Sequence, residues 1–95
     1  MIIVHDTFVC KPGNASKLAK LFKEQMGSRK ETVNILTDMT GQFNRVIIVT
    51  QYENLTAYEK AWESMSEEEA KKMQEAMKGY TEMYQTGSRE IFQVW

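Results

Sequence analysis

The 95-residue sequence is poor in the residue types on which many active sites and covalent scaffolds depend, with one histidine, one cysteine and one proline. Cys10 alone cannot form a disulfide within the chain, and a metal site needs several ligands that no second histidine or cysteine supplies. The sequence also lacks a phosphate-binding glycine loop, a dinucleotide-binding fingerprint and a nucleophilic triad. These absences predict that the protein binds no metal and exclude the enzyme classes that such motifs define.

An excess of charge of either sign is missing as well, because twelve basic and thirteen acidic side chains give a net charge of -1. Neither sign forms a long block, so we expect no nucleic acid and no anionic membrane as a partner. No apolar run approaches the roughly 20 residues that span a bilayer, and no basic leader with a long apolar core is present. The default expectation is one domain, residues 1–95, in the reducing cytoplasm.

Three segments in the first half of the sequence have the composition of β-strands. Ile2 to Cys10 is rich in β-branched and aromatic residues and is followed by a proline and a glycine that favour a turn. Thr32 to Thr40 alternates apolar and polar residues, which is typical of an edge strand. The β-branched run from Val46 to Val49 predicts a strand buried on both faces, and the short connection before Arg45 favours an antiparallel hairpin.

Helical periodicity fills the segments between these strands. Asn14 can cap a first helix, which Gly27 can end, and Asn54 can cap a second helix. The four residues from Ser66 to Glu69 form a capping box, which predicts the start of a third helix.

The apolar stripe of the third helix continues as far as Tyr84, with Gly79 in its interior. We therefore expect this helix to end at Thr86 and Gly87. The residues from Arg89 to Trp95 then alternate in the manner of a terminal strand.

The order of the predicted elements is βαββαβ, which indicates a ferredoxin-like α+β fold with a four-stranded antiparallel sheet. Right-handed crossovers would place all the helices on one face of that sheet. The strands nevertheless carry apolar residues on both faces, with Ile3, Val9 and Ile47 on the side away from the helices. A second copy of the chain is the natural cover for such a face, so we expect a homodimer.

Three stretches, residues 9–14, 46–62 and 87–95, resemble the dimeric α+β barrel superfamily and, within it, the NIPSNAP-like group. The resemblance implies a homodimer in which two sheets face each other as a barrel, with a ligand cleft between the sheet and the helices of each subunit. Relatives include quinone-forming and antibiotic-biosynthesis monooxygenases that need neither metal nor flavin, and haem-degrading oxygenases.

The resemblance to the haem-degrading relatives is incomplete at the residues that those enzymes use. They carry an Asn on the first strand, and a Trp and a His on helical segments. Counted back from the Pro-Gly turn, the Asn position falls on Asp6, and Trp62 lies about one residue from the Trp position. The only histidine, His5, lies on a strand. We therefore expect no cofactor and no haem degradation, with haem binding as the alternative.

Asp6 is the candidate catalytic residue. It shares a strand face with Ile2, Val4 and Phe8, where desolvation would raise its pKa and make it a general base. The alternative is a carboxylate bonded to a neighbouring hydroxyl group or arginine. His5 points to the opposite face, where we expect an interfacial hydrogen-bonding residue and not a metal ligand.

Aromatic and hydroxyl-bearing residues on that strand face, on the third strand and on the helices could line a cleft for a small apolar or aromatic molecule. The candidate ligand-binding residues are Phe8, Thr50, Tyr52, Tyr58, Trp62, Tyr80 and Tyr84. The alternative is ordinary core packing, since aromatic stripes at helical spacing also pack helices onto sheets.

Three functions therefore remain open at the level of the sequence. The protein could be a cofactor-independent oxygenase or isomerase acting on a small aromatic or quinonoid compound. It could be a non-catalytic binder of a small molecule or haem, or a structural or regulatory dimer with no ligand. A buried Asp6 that faces an open cavity would favour the enzyme. A cavity without a titratable group would favour the binder, and a collapsed core would favour the dimer with no ligand.

Overall fold

The backbone forms one four-stranded antiparallel sheet with all its helices on one side, and the computed structural model describes all 95 residues. The elements are β1 (Ile2–Cys10), α1 (Ala15–Met26), β2 (Thr32–Thr37), β3 (Arg45–Tyr52), α2 (Leu55–Glu63), α3 (Glu67–Ala76), a short 3-10 helix (Tyr80–Glu82) and β4 (Tyr84–Gln93). The strand order is β2-β3-β1-β4, and every pairing is antiparallel. The predicted ferredoxin-like α+β fold is confirmed.

Strands β1 and β3 form the centre of the sheet, and their register decides which side chains face the helices. Val4 lies opposite Thr50 and Asp6 lies opposite Ile48, so the even-numbered residues of both strands share one face. Val4, Val46 and Ile48 are buried on this face beneath the helices. The predicted burial of the third strand is therefore confirmed on its helical side.

Helix α1 provides the main packing against the sheet. Leu18 and Phe22, four residues apart on one face of the helix, are both buried. They belong to a buried cluster that consists of Cys10, Leu18, Phe22, Val46, Ile48 and Met77. Helices α2 and α3 bury no residue completely, so they cover the sheet much less tightly than α1 does.

The helix starts agree with the predicted caps at two of the three positions. The Asn54 side chain accepts a hydrogen bond from the Ala57 amide at 2.8 Å, and the Ser66 hydroxyl accepts one from the Glu69 amide at 3.1 Å. Asn14 lies at the N-cap position of α1, but its side chain makes no capping hydrogen bond. The orphan amides at that end depend on other partners.

The third helix is shorter than the sequence pattern predicts, and this corrects the assignment of Tyr84. Helix α3 ends at Ala76, and Gly79 adopts a left-handed conformation with φ of 87°, which no helix interior contains. After the 3-10 helix, Tyr84 is the first residue of β4 and pairs with Cys10. The helix prediction was wrong here because Tyr80 and Tyr84 keep a four-residue spacing although they lie on different elements.

Strand β2 also ends earlier than predicted, at Thr37 and not at Thr40. Asp38 explains the difference, because its carboxylate accepts a hydrogen bond from the Arg45 amide at 2.7 Å and so closes the connection to β3. Asn44, with φ of 64°, completes the reversal in the left-handed region that Asn tolerates. The predicted hairpin between the second and third strands is confirmed.

The face of the sheet away from the helices has no cover within the chain. It presents the odd-numbered residues of β1 and β3, including Ile3 and Ile47, and their cross-strand neighbours. Leu36 and Phe92 on this face are 42% and 46% exposed. None of the helices is long and apolar enough to cross a membrane.

Candidate functional site

A cavity of about 350 Å³, about half open to solvent, lies between the sheet and the helices. Its volume is within the range of about 300 to 1,000 Å³ that small-molecule sites occupy. The sheet, α1 and the α2–α3 segment all contribute walls, and ten of the fourteen lining residues are hydrophobic. The lining consists of Asp6, Phe8, Phe22, Met26, Arg29, Ile48, Trp62, Met65, Ala70, Met73, Gln74, Met77, Tyr80 and Arg89.

The polar feature of this cavity is an ion pair between Asp6 and Arg89. The two residues lie directly opposite each other on the neighbouring strands β1 and β4, so their side chains share the helix-facing side. Arg89 Nε donates a hydrogen bond to Asp6 Oδ1 at 2.5 Å. The Asp6 side chain is 17% exposed and that of Arg89 is 50% exposed. The hydrogen bond to Asp6 raises the pKa of Arg89 above its ordinary value, against the opposing effect of burial.

This pairing shows how the Asp6 carboxylate is bonded. The carboxylate is bonded to an arginine, as the alternative to the general-base interpretation required. Asp6 therefore lines the cavity as a hydrogen-bond acceptor whose nearest donor, Arg89, is already in place.

Aromatic rings from α2 surround the guanidinium group. The Arg89 Cζ atom lies 5.9 Å from the centroid of the Tyr58 ring and 5.8 Å from that of Trp62, within the range of cation–π attraction. The Tyr58 ring also meets Tyr52 edge to face, with 5.1 Å between the centroids. Three residues that the sequence singled out, Asp6, Tyr58 and Trp62, thus lie around Arg89, and a fourth, Tyr52, contacts Tyr58.

The other predicted site residues divide among three places. Phe8 and Tyr80 line the main cavity. Thr50 lies in a smaller recess of about 20 Å³, whose walls also include Asp6, Tyr52, Tyr58 and Trp62. Tyr84 lies outside both spaces, beside an open depression that contains Phe8 and Arg89.

Core packing describes Tyr84 better than ligand contact does. Its ring centroid is 4.9 Å from that of Phe8 and 5.8 Å from that of Tyr80. Trp62 differs, because it lines the main cavity and is 47% exposed. The aromatic residues are therefore partly core and partly cavity wall.

Sequence reasoning missed two arginines and several methionines of the cavity. A largely buried aspartate needs a partner, which is a signal that the sequence contains, but only the register of β1 and β4 identifies that partner as Arg89. Arg29 lies in the polar connection between α1 and β2, where no periodicity marks it. The cavity methionines, Met26, Met65, Met73 and Met77, carry only the general signal of adaptable packing.

Two common ligand types for haem and metal ions, histidine and cysteine, are absent from the cavity wall. His5 belongs to the opposite face of the sheet, where its ring meets that of Phe92 edge to face at 5.2 Å. Cys10 is buried, and burial raises the pKa of its thiol above the ordinary value. No group of three or more His, Cys, Asp or Glu side chains is arranged to hold a metal ion.

The fold and the cavity together define a ferredoxin-like α+β protein with a ligand-sized apolar space between its sheet and its helices. The NIPSNAP family model matches residues 5–91, which is nearly the whole sequence. The chain belongs to the NIPSNAP family, so the resemblance inferred from its sequence is confirmed.

Solved structures of other NIPSNAP proteins share this fold. An uncharacterised NIPSNAP domain protein from Burkholderia xenovorans is 11% identical and superposes with a TM-score of 0.80, with 100% of this chain and 95% of that chain covered. A NIPSNAP family protein from Agrobacterium tumefaciens is 14% identical, with a TM-score of 0.79 and coverage of 97% and 90%. At such identities the likeness extends to the fold alone.

The fold is also similar to that of an antibiotic biosynthesis monooxygenase-like protein from Nitrosomonas europaea. That protein is 8% identical and has a TM-score of 0.68, with 99% of this chain and 98% of that chain covered. No functionally curated protein matches the sequence. The chemistry of the cavity must therefore be argued from its own residues.

A double-mutant cycle on Asp6→Asn and Arg89→Gln should measure how strongly the ion pair joins β1 to β4. We expect a coupling free energy of about 0.5 to 1 kcal/mol in urea unfolding, because Arg89 is half-exposed and solvent screens the pair. The exposed pair of Lys72 and Glu68 on α3, 4.0 Å apart, provides the control and should show a smaller coupling. Equal couplings for the two pairs would show that the cavity does not strengthen the interaction.

Proposed function

We propose that this NIPSNAP protein binds a small, flat and mainly apolar molecule that carries one anionic or electron-rich oxygen group. The cavity of about 350 Å³ between sheet and helices is the observation that carries this proposal. A structural dimer without a ligand would be expected to have a collapsed core, because protein interiors are close-packed. The aromatic rings of Phe8, Phe22, Trp62 and Tyr80 offer flat surfaces in the cavity wall.

The charges of the cavity favour a negatively charged group on the ligand. Asp6, Arg89 and Arg29 are the charged side chains of the lining, so their formal charges sum to +1. Arg89 already pairs with Asp6 through its Nε, whereas the Arg29 side chain makes neither a hydrogen bond nor an ion pair. A guanidinium group binds planar carboxylate and enolate oxygens well, since its donors form a rigid fork.

The methionine side chains of the cavity wall can adapt to ligands of different shapes. Met26 comes from α1, Met65 from the connection after α2, and Met73 from α3. An unbranched thioether side chain has three rotatable bonds and a polarisable sulfur, so it adapts to ligands of different outline. We therefore expect a site that accepts ligands of different shapes and selects them by their charge.

Titration with 2-naphthoate and with naphthalene-2-carboxamide, two probes of similar shape, tests the preference for an anion. We expect naphthoate to bind more tightly and Arg29→Gln to weaken it by about 1 to 2 kcal/mol while sparing the amide, because only the anion gains a charge-assisted hydrogen bond. Shifts in ¹H–¹⁵N NMR spectra measure both affinities and locate the probes.

The matched control is Lys30→Gln, which removes an exposed charge one residue away and outside the cavity wall. Similar losses of naphthoate affinity in the two variants would mean that the overall positive charge of the region, and not a direct contact with Arg29, selects the anion. Binding of neither probe in the cavity would contradict the proposed function.

A second candidate function is catalysis without a cofactor, and the observation that favours it is the position of Asp6 in the cavity wall. As a general base, Asp6 would take the proton of an acidic phenol or enol, and the resulting anion would react with molecular oxygen or be reprotonated at another carbon. The fold shared with antibiotic biosynthesis monooxygenase-like proteins is compatible with such an oxygenase. The ion pair with Arg89 opposes it, because one oxygen of the carboxylate that would take the proton already accepts a hydrogen bond from Arg89.

An oxygen electrode tests this candidate with 1,4-dihydroxynaphthalene as the probe. If Asp6 is the base, Asp6→Asn should reduce oxygen uptake to the uncatalysed rate and leave binding of the probe within about threefold, because the amide keeps the shape but cannot accept the proton. Glu24→Gln, on the exposed side of α1, serves as the control. An unchanged rate in Asp6→Asn would exclude Asp6 as the base.

We also propose that the functional unit is a homodimer in which two sheets pack through their uncovered faces. Leu36 and Phe92 on that face are nearly half exposed, and Ile3 and Ile47 lie beside them on the central strands, with polar residues such as Thr7 and Glu90 between these apolar pairs. A two-fold pairing of the sheets would remove these apolar side chains from water in both copies.

Light scattering should therefore give about twice the chain mass of 11.1 kDa at micromolar concentration. Ile47→Glu should dissociate or unfold the protein, because an unpaired charge buried between the sheets costs several kcal/mol. Lys20→Glu, on the exposed side of α1, should leave the mass unchanged. A monomeric wild-type protein would contradict the proposed dimer.

A further inference from the structure

Arg89 lies where the main cavity opens to solvent. It lines the cavity and also borders two shallower depressions outside it, which no other residue does. Strand β4, which carries Arg89, is an edge of the sheet, and the Arg89 side chain is 50% exposed. An atom of a ligand in the cavity can therefore approach this side chain at the cavity mouth.

Most of the hydrogen-bonding capacity of Arg89 is unused. A guanidinium group carries five N–H donors, and only the one on Nε is bonded, to Asp6 Oδ1. The rings of Tyr58 and Trp62 attract the cation, but their faces offer no lone pair to its terminal N–H groups. These terminal donors have no protein partner, although the ion pair and the two rings hold the group in position.

The two arginines of the cavity wall lie on different sides of it. Arg29 also lines the small recess together with Thr50 and Tyr52 of β3, whereas Arg89 lies on β4. The strand order places β1 between β3 and β4, which separates these two strands by about 10 Å. A ligand that reaches Arg29 with one end can therefore present its other end to Arg89.

The charges near Arg89 determine which kind of oxygen it can bind. Asp6 already neutralises Arg89, and Glu59 and Glu63 border one of the outer depressions beside it. A second carboxylate on the ligand would lie close to these acids and would be repelled. A neutral carbonyl oxygen avoids this repulsion and still accepts a hydrogen bond from the terminal N–H groups.

We propose that Arg89 is a second specificity-determining residue of the ligand site, whose terminal N–H groups bind a neutral oxygen at the end of the ligand opposite to its anionic group. The inference rests on the proposed function, because it requires a ligand in the cavity with its anionic group at Arg29. It adds the class of ligand: a flat aromatic monoanion with a carbonyl oxygen at the far end of its ring system.

The probes 6-acetyl-2-naphthoate and 6-isopropenyl-2-naphthoate form a matched pair, because they differ only in a carbonyl oxygen against a methylene group. Their affinities for wild-type protein and for Arg89→Met, and their binding position, are read from ¹H–¹⁵N NMR spectra. We expect the substitution to weaken the acetyl probe about tenfold relative to the isopropenyl probe, because a hydrogen bond from a charged donor is lost. Lys60→Met, which removes an exposed cation of α2 outside the cavity wall, should leave the ratio unchanged.

A second variant removes the unpaired carboxylate that Arg89→Met leaves behind. Asp6→Leu combined with Arg89→Met replaces the ion pair by apolar side chains, a change that is often neutral for stability. It should show the same loss of preference for the acetyl probe, because the donor and not the carboxylate determines that preference. In wild-type protein, naphthalene-2,6-dicarboxylate should bind less tightly than 6-acetyl-2-naphthoate, since its second carboxylate is repelled.

Each outcome bears on one of the two proposals. With the probes bound in the cavity, an unchanged ratio in both variants, or tighter binding of the dicarboxylate than of the acetyl probe, overturns this inference and leaves the proposed function standing. The same conclusion follows if 2-naphthoate binds in the cavity and neither of the 6-substituted probes does, because the ligand then has no room beside β4. Failure of all the probes to bind overturns the proposed function together with this inference.

Discussion

The pairing of Asp6 with Arg89 is the interaction on which the character of the site depends. Both side chains occupy the helix-facing side of the sheet, where a hydrophobic cluster would be the simplest way to join the layers. A charge in that position is tolerated only with a partner, and the antiparallel register of β1 and β4 supplies one directly across the strands. The guanidinium group in turn meets the Tyr58 and Trp62 rings and thereby links α2 to the sheet.

The cavity exists because the helical layer is uneven. Helix α1 buries Leu18 and Phe22 against the sheet, whereas α2 and α3 bury no residue completely. Helix α3 is also short, since Gly79 in a left-handed conformation turns the chain into β4. The space that remains beneath α2 and α3 is lined by flexible methionine side chains and aromatic edges. These pack less closely than interlocking branched aliphatic residues would, so a cavity is left.

The sequence predicted the elements that periodicity and capping determine. The prediction failed where contacts between residues distant in the sequence determine the conformation. The β-branched run of β3, the Asn54 cap and the Ser66 cap are local signals, and all three are confirmed. Tyr84 was assigned to a helix because its spacing from Tyr80 fits one, although strand pairing with Cys10 determines its conformation. The pairing of Arg89 with Asp6 follows only from the register of two strands. The two residues lie 83 positions apart in the sequence, so no local pattern contains this information.

The comparison structures separate what the fold determines from what individual side chains determine. Backbones that share 8% to 14% of their residues with this chain superpose with TM-scores of 0.68 to 0.80, so the sheet and its helical cover tolerate nearly complete replacement of the sequence. Such tolerance is expected when alternation and helical stripes specify the fold, because many residue types satisfy each pattern. The charged pair of Asp6 and Arg89 is not interchangeable in this way, since the loss of one group leaves the other unsatisfied. The proposed ligand preference therefore rests on Asp6, Arg29 and Arg89 and not on the sheet and helices that the chain shares with its relatives.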